Sequence, residues 1–376
     1  MKVLFISNIY PNKEESFRGI YIQNRAKALQ KLGLNVKVAV LSTKKIETND
    51  DFSSCFLYKE NDNFLKYLNI GKKPSIDPSF KDFLKSFKPD LIIFCIVSLW
   101  LKQHLIYSYK EYKFANFFEG RNADGQFKDH KLYKFFIYKK QKRLFKKMEY
   151  LFFCSSFAYE DFIKKFPSIN KNKCHVLENG FDQNVFIPSK LHPFNKQKIK
   201  IISVGNISKY KGQKLLLEAV NLLPSNLKNK LLIEIIGTGN RDEIDELHSI
   251  ARHSNVDFIY KDQLDPKSLF HEYQTFDYFI LPSYFESFGC VYLEAMSQGL
   301  ICVGCKNQGP SLYITDSFNG FLVKENDVLD LKNLLVDVIN EKKDIQTISK
   351  NAILTSKKYS WDNFATNFIK LFSSLK

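Results

Sequence analysis

The chain has 376 residues, 44% hydrophobic and 15% aromatic, with 56 Lys and Arg against 40 Asp and Glu for a net charge of +16. This length predicts two to three domains with sizeable cores, and 26% charged residues beside so large an apolar share exclude a disordered or fibrous chain. No apolar run approaches the ~18 residues of a spanning helix, and the few apolar residues between Lys2 and Asn8 are too short for a secretory h-region, so the chain reads as cytoplasmic.

Residues 2–7 (KVLFIS) form a continuous apolar run, the pattern of a strand buried on both faces. A loop with Pro11 and Gly19 leads into a helical pattern carrying Ile20, Ala26, Leu29 and Leu32, closed by Gly33. Strand-like runs follow at 35–41, 91–97, 114–118, 150–154 and 174–177. The series restarts at 198–204 and continues at 231–236, 256–260, 277–281, 300–304 and 320–323. Strands alternating with helical stretches predict crossover units and parallel sheets. Residues 183–197, with Pro188, Pro193, Asn184 and Asn195 and little periodicity, read as a linker. In the tail, Trp361, Phe364, Phe368 and Leu371 fall on one helical face. The expected fold class is therefore α/β, with two Rossmann-like parallel-sheet domains facing across a cleft. Domain one covers 1–182 plus a C-terminal helix at 357–376, and domain two covers 198–356. Ligands of open parallel sheets bind outside the carboxyl ends of the strands.

Seven scattered cysteines argue against a disulfide framework. Cys302-Val-Gly-Cys305 has metal or redox spacing but sits in an apolar run without a second ligand pair, the setting of buried strand cysteines. Charge is uneven. Residues 1–190 hold 34 Lys and Arg and 19 Asp and Glu, whereas residues 191–376 hold 22 and 21. Such a field concentrates anionic partners, or it is a solubilising surface. Its densest part, Lys131 to Lys147, has eight basic residues interleaved with Tyr133, Phe135, Phe136, Ile137, Tyr138, Leu144 and Phe145. An anionic membrane surface, a nucleic acid and a solvated helix with its apolar side inward are all compatible with this pattern. The first is favoured because the excess charge lies in the first half.

The most informative stretch runs from Leu281-Pro282-Ser283 through Glu286, Ser287, Phe288 and Gly289 to Glu294 and Gly299. A buried strand ends at Pro282, and Phe288-Gly289 turns into a helix. Glu286 then lies at the helix mouth and Glu294 lies within the helix. Helix N-terminal N–H groups with their ~+0.5 charge suit an anion such as a diphosphate. A carboxylate at the mouth can accept hydrogen bonds from sugar hydroxyls, and a second can bind a ribose diol. On spacing alone, two solvated glutamates are an equal alternative.

With its neighbours, Glu-x7-Glu preceded by Pro-Ser and followed by Ala-Met-x-x-Gly resembles the retaining nucleotide-sugar glycosyltransferases of the GT-B fold, glycosyltransferase family 4, also described as glycosyl transferases group 1. Gly205-Asn206 with Lys211-Gly212, Asn179-Gly-Phe-Asp182, Gly237-Thr-Gly239, Gly309-Pro310, Asn319-Gly-Phe-Leu-Val323 and Arg18-Gly19-Ile20-Tyr21 resemble family segments in the same order. The resemblance implies transfer of a sugar from a UDP- or GDP-sugar to a lipid-linked or polysaccharide acceptor, in bacterial surface glycan synthesis. It implies no cofactor or metal beyond the donor substrate itself. Donor contacts would come from Gly19, Asn206, Lys211, Glu286, Ser287, Phe288, Gly289 and Glu294. Lys211 would neutralise the departing diphosphate, Glu286 would hold the sugar and Glu294 the ribose. Arg18, Glu119 and Arg121 would face the acceptor, a glycan or a polyprenyl-diphosphate-glycan.

Two departures stand out. Asn206 replaces the family's usual Arg, so charge must come from Lys211, Lys209 or the helix dipole. Glu119-Gly120 stands where the family carries His-Gly. Glu119 is then either a catalytic or acceptor-binding carboxylate, or a loop residue salt-bridged to Arg121. A nucleotide-sugar epimerase on the same architecture is the alternative function, and a nucleic-acid-binding protein is a more distant one. The location that follows is cytoplasmic, with peripheral attachment to the inner membrane face through Lys131–Lys147. Oligomeric state is not encoded in any of these features.

Overall fold

The computed structural model describes residues 1–15, 18–59, 74–120, 131–186, 198–340 and 344–373, with the side chains of 131–134 outside that description. The chain divides into two compact units, Met1–Glu178 with Trp361–Lys376, and Asn179–Ser360. Sequence patterning placed the first passage at residue 182 and the return at 357. Of the expected linker, residues 187–197 lie outside the described residues.

The first unit holds an eight-stranded sheet in the order β4-β3-β2-β1-β5-β6-β7-β8. The strands are β1 Lys2–Ser7, β2 Asn35–Ser42, β3 Ser53–Lys59, β4 Ser75–Ile76, β5 Leu91–Cys95, β6 Phe114–Phe118, β7 Tyr150–Phe153 and β8 Cys174–Val176. All pairs are parallel except β3 with β4. Val3 to Ile6 have no exposed surface, which is why β1 is apolar at every position rather than at alternate ones. The helix Ile20–Lys31 packs Ile22, Ala26 and Leu29 inward and ends where Gly33 takes φ 86. Phe118 stacks on Phe153 at 4.8 Å, and Phe145, Phe162 and Phe166 complete an aromatic layer under the helix Lys131–Lys147. The helix Trp361–Ser373 buries Trp361, Phe364 and Phe368, and Phe372 packs on Tyr150 at 5.1 Å. The chain thus returns to its first unit through the face that the tail's apolar spacing marks.

β3 and β4 carry no legible run. In β3 only Phe56 and Tyr58 are buried, because the strand lies near a sheet edge with one wet face, and β4 has two residues.

The second unit is a six-stranded, wholly parallel sheet in the order β11-β10-β9-β12-β13-β14. Its strands are β9 Ile199–Val204, β10 Leu231–Ile236, β11 Asp257–Lys261, β12 Tyr278–Ile280, β13 Ile301–Cys305 and β14 Phe321–Val323. Leu216, Leu231, Ile233, Ile235, Ile301 and Val303 are inaccessible within its core. From β9 the chain moves outward to β10 and β11, then returns to pair β12 on the other side. The order reverses between β9 and β12, and a crevice opens at such a point outside the carboxyl ends. The loops there are 205–212 and 281–289, the two segments that carry the sequence signals.

Candidate functional site

Both loops are shaped by close backbone approach. At Gly212 φ is 81, and a Cβ would lie 2.3 Å from the Pro282 carbonyl oxygen, so only glycine seats the first loop on the second. The backbone N–H of Tyr284 (3.1 Å) and the Ser283 hydroxyl (3.1 Å) both donate to the Tyr210 carbonyl. This contact carries Lys211 to Glu286. Lys211 Nζ lies 2.5 Å from Glu286 Oε2, with the two side chains 27% and 12% exposed. The Ser287 N–H donates to Glu286 Oε1 at 3.1 Å. Tyr210, Tyr284 and Phe285 form a ring cluster beside the pair, and Lys209 Nζ sits 5.0 Å over the Tyr210 ring.

Gly289, at φ 83, caps the helix Cys290–Ser297. Phe288 is buried against Tyr313 and Tyr359, and the Tyr313 hydroxyl lies 2.8 and 2.7 Å from the Phe288 and Gly289 carbonyls, which share its one proton. The turn is therefore held from behind, which leaves the first helical turn and its N–H groups at the carboxyl edge. Glu294 is half-buried on that helix. Desolvation pushes its carboxyl up to about 7, and the Asp182 carboxylate adds to the rise. Segment 179–182 lies against the same helix, with the Cys290 thiol 3.5 Å from the Gly180 carbonyl. Lys211, Glu286, Ser287, Phe288, Gly289 and Glu294 are thus assembled on one sheet edge. Asn206 lies in the same loop as Lys211, exposed, its carbonyl accepting from the buried Gln213 side chain at 3.2 Å.

The remaining expected residues belong to the first unit. Gly19 (φ 77) caps the helix Ile20–Lys31, and the exposed Arg18 pairs with Glu15 at 2.9 Å. Glu119, at the end of β6, receives both terminal nitrogens of Arg25 at 2.8 and 3.0 Å. Arg25 is wholly buried and its guanidinium sits 3.7 Å from the Phe117 ring centroid, with Tyr21, Trp361 and Phe364 around it. A buried cation in an aromatic box requires a counter-ion, and Glu119 is that counter-ion. Its partner is therefore Arg25, which the sequence did not single out. Arg121 lies outside the described residues.

The helix Lys131–Lys147 turns Ile137, Gln141, Leu144 and Phe145 inward and leaves Phe135 and Phe136 50% and 48% exposed. Lys139 Nζ lies 4.2 Å over the Phe135 ring. Among the described residues no helix is long and apolar enough to cross a membrane. Cys302 and Cys305 are buried free thiols, and no group of three or more His, Cys, Asp or Glu among the described residues could hold a metal ion.

Residues 188–355 match the family described as Glycosyl transferases group 1. That match falls within the second unit. An uncharacterized glycosyltransferase of Methanocaldococcus jannaschii is 24% identical over 243 residues, 62% of this chain and 60% of that protein. A D-inositol 3-phosphate glycosyltransferase of Kribbella flavida is 28% identical over 204 residues, 50% of this chain and 48% of that protein. The chain thus spans about half to three fifths of the curated relatives it matches. Anabaena HepE, solved in complex with UDP and glucose, superimposes with a TM-score of 0.72 at 16% identity over the whole of both chains. The fold is that of the GT-B glycosyltransferases.

Within the second unit, sequence reading overlooked Gln308 and Glu325. Gln308 is buried and its Oε1 accepts from the Glu286 N–H at 2.9 Å, while its Nε2 donates to Glu325 at 2.7 Å. The only local signal is its position before Gly309-Pro310. Asp182 lies in a segment recognised from sequence, but its nearness to Glu294 comes from the fold.

Proposed function

We propose that the chain is a retaining glycosyltransferase that moves a sugar from a UDP- or GDP-sugar to a lipid-linked or polysaccharide acceptor in bacterial surface glycan biosynthesis. The observation that carries this reading is the placement of Lys211, Glu286, Glu294 and the start of the helix Cys290–Ser297 at the β9–β12 switch point. A diphosphate there meets a cation and a helix N-terminus, so charge developing on the departing group is stabilised without a metal. Glu286 accepts from sugar hydroxyls and Glu294 from the ribose diol, which fixes the donor on both sides of the diphosphate. The departing phosphate accepts the acceptor proton, so no separate base is needed and the anomeric configuration is kept. The donor is a substrate, and the reading calls for no cofactor. HepE, whose structure carries UDP and glucose, supports a nucleotide-sugar donor.

The exposed Phe135 and Phe136 among lysines support docking on an anionic membrane surface, with the protein cytoplasmic and a lipid-linked acceptor presented at that surface. Transfer from UDP- and GDP-sugars to lipid-linked acceptors, followed by NMR of the new anomeric centre, tests the reading. Acceptor-dependent release of nucleoside diphosphate with retained configuration is expected. Conversion of the nucleotide-sugar to an isomer without acceptor would instead indicate an epimerase.

A further inference from the structure

The loop that follows β13 grips Glu286 through its backbone. The Glu286 N–H donates to Gln308 Oε1 at 2.9 Å, and the Gly309 N–H donates to the Glu286 carbonyl at 2.9 Å. Approach this close needs glycine at 309, where a Cβ would stand 2.5 Å from the Phe288 nitrogen. Gln308 is buried, and its Nε2 donates to Glu325 Oε1 at 2.7 Å, in the segment after β14. The Lys306 N–H donates to the Val323 carbonyl at 2.8 Å, which ties the same two segments together.

Only a side chain with one acceptor and one donor satisfies both neighbours, since Glu286 offers an N–H and Glu325 a carboxylate. Leucine offers neither. Glutamate accepts from Glu286 but sets a second carboxylate against Glu325. Gln308 touches no chemistry itself. It fixes the backbone from which Glu286 reaches toward Lys211.

We propose that Gln308, anchored by Glu325, is the positioning residue that aims Glu286 at the donor sugar, and so sets how strongly the sugar adds to the binding of the nucleoside diphosphate. This rests on the proposed function for the role of Glu286, whereas the clamp is a property of the chain alone. When a diphosphate draws Lys211 away from Glu286, the backbone clamp is what keeps the carboxylate in place.

The test uses the full chain with Gln308→Leu, Gln308→Glu, and the exchange Gln308→Glu/Glu325→Gln, which restores the chain of hydrogen bonds with the direction of its outer bond reversed. Amide hydrogen exchange of segment 283–289 without ligand reports the clamp, and calorimetry with UDP, UDP-glucose, GDP and GDP-mannose reports the sugar contribution. In Gln308→Leu the segment should exchange about tenfold faster, as for loss of one buried hydrogen bond. The gain in affinity of sugar-nucleotide over nucleoside diphosphate should disappear, with nucleoside diphosphate affinity held within about twofold. Gln308→Glu should show the defect at neutral pH and lose it in acid, where one of the facing carboxylates is protonated. The exchange variant should restore both readouts at neutral pH. Unchanged exchange in Gln308→Leu, or an exchange variant no better than Gln308→Glu, overturns the proposal. Wild-type protein that binds none of the four ligands counts against the proposed function, while the hydrogen-exchange comparison still decides the clamp.

Discussion

Lys211 Nζ and Glu286 Oε2 are 2.5 Å apart, so the cation assigned to the diphosphate and the carboxylate assigned to the sugar neutralise each other when the site holds no donor. In the proposed reading, donor binding would exchange one partner for another on both sides, with Lys211 moving to phosphate and Glu286 to hydroxyls. Each group would keep a hydrogen-bonding partner before and after, so neither would stand desolvated and alone.

From this exchange, Lys211→Ala should lower kcat by about 10²–10³, the range for removing one group that stabilises developing negative charge. Glu286→Ala should lower kcat comparably and abolish discrimination among sugars epimeric at the contacted hydroxyl. Steady-state kinetics with a matched pair of donors checks both.

Glu294 supplies a pH dependence. Its carboxyl is raised from the ordinary 4.5 to about 7, first by desolvation and then by Asp182. A folded-state pKa above the unfolded one means that the folded protein holds more protons between these values, so this group's contribution to stability falls as pH rises from about 4.5 to 7. A ribose diol donates to the ionised form. Donor affinity should therefore rise as pH increases through about 7, with a proton released on binding near that pH. Calorimetry in buffers of different ionisation enthalpy measures the proton, and Glu294→Gln should release none.

The Arg25–Glu119 pair predicts a stability cycle. Glu119→Gln leaves a buried guanidinium without its counter-ion and should cost about 3–5 kcal/mol, whereas Arg25→Met with Glu119→Leu should recover most of it. Denaturant unfolding of the single and double variants checks this. Recovery of transferase activity along with stability would assign Glu119 to structure, and a stable but inactive double variant would assign it to chemistry.

Ile96 follows β5 with φ 46 and a partly exposed side chain, a conformation that a β-branched residue adopts only under strain. Ile96→Gly should raise stability by about 1 kcal/mol, seen as a higher Tm.

How much of this was legible follows from where the information lies. Every strand that is buried on both faces was visible as a continuous apolar run, from β1 to β14. β3 and β4 were not, because β3, next to the sheet edge, buries only Phe56 and Tyr58, and β4 has only two residues. Glu286, Lys211 and Glu294 stood out through surrounding motifs that resemble those of a known family, since on spacing alone the two glutamates read equally well as solvated. Gln308 was not, because its role depends on two bonds to residues 22 positions before and 17 after it. Arg25 was hidden in an ordinary amphipathic helix, and its importance appears only when β6 brings Glu119 across 94 positions.

In the proposed function, Lys211, Glu286 and Glu294 together hold a nucleotide-sugar at the β9–β12 edge. Thermal unfolding of the wild type and of the three single alanine variants, with and without a panel of UDP-, GDP- and ADP-sugars, tests it most directly, because a ligand of the native state raises Tm by mass action. A rise in Tm with one nucleotide class is expected in the wild type, and a reduced rise in each variant. No rise with any panel member, or an equal rise in all four proteins, would contradict it.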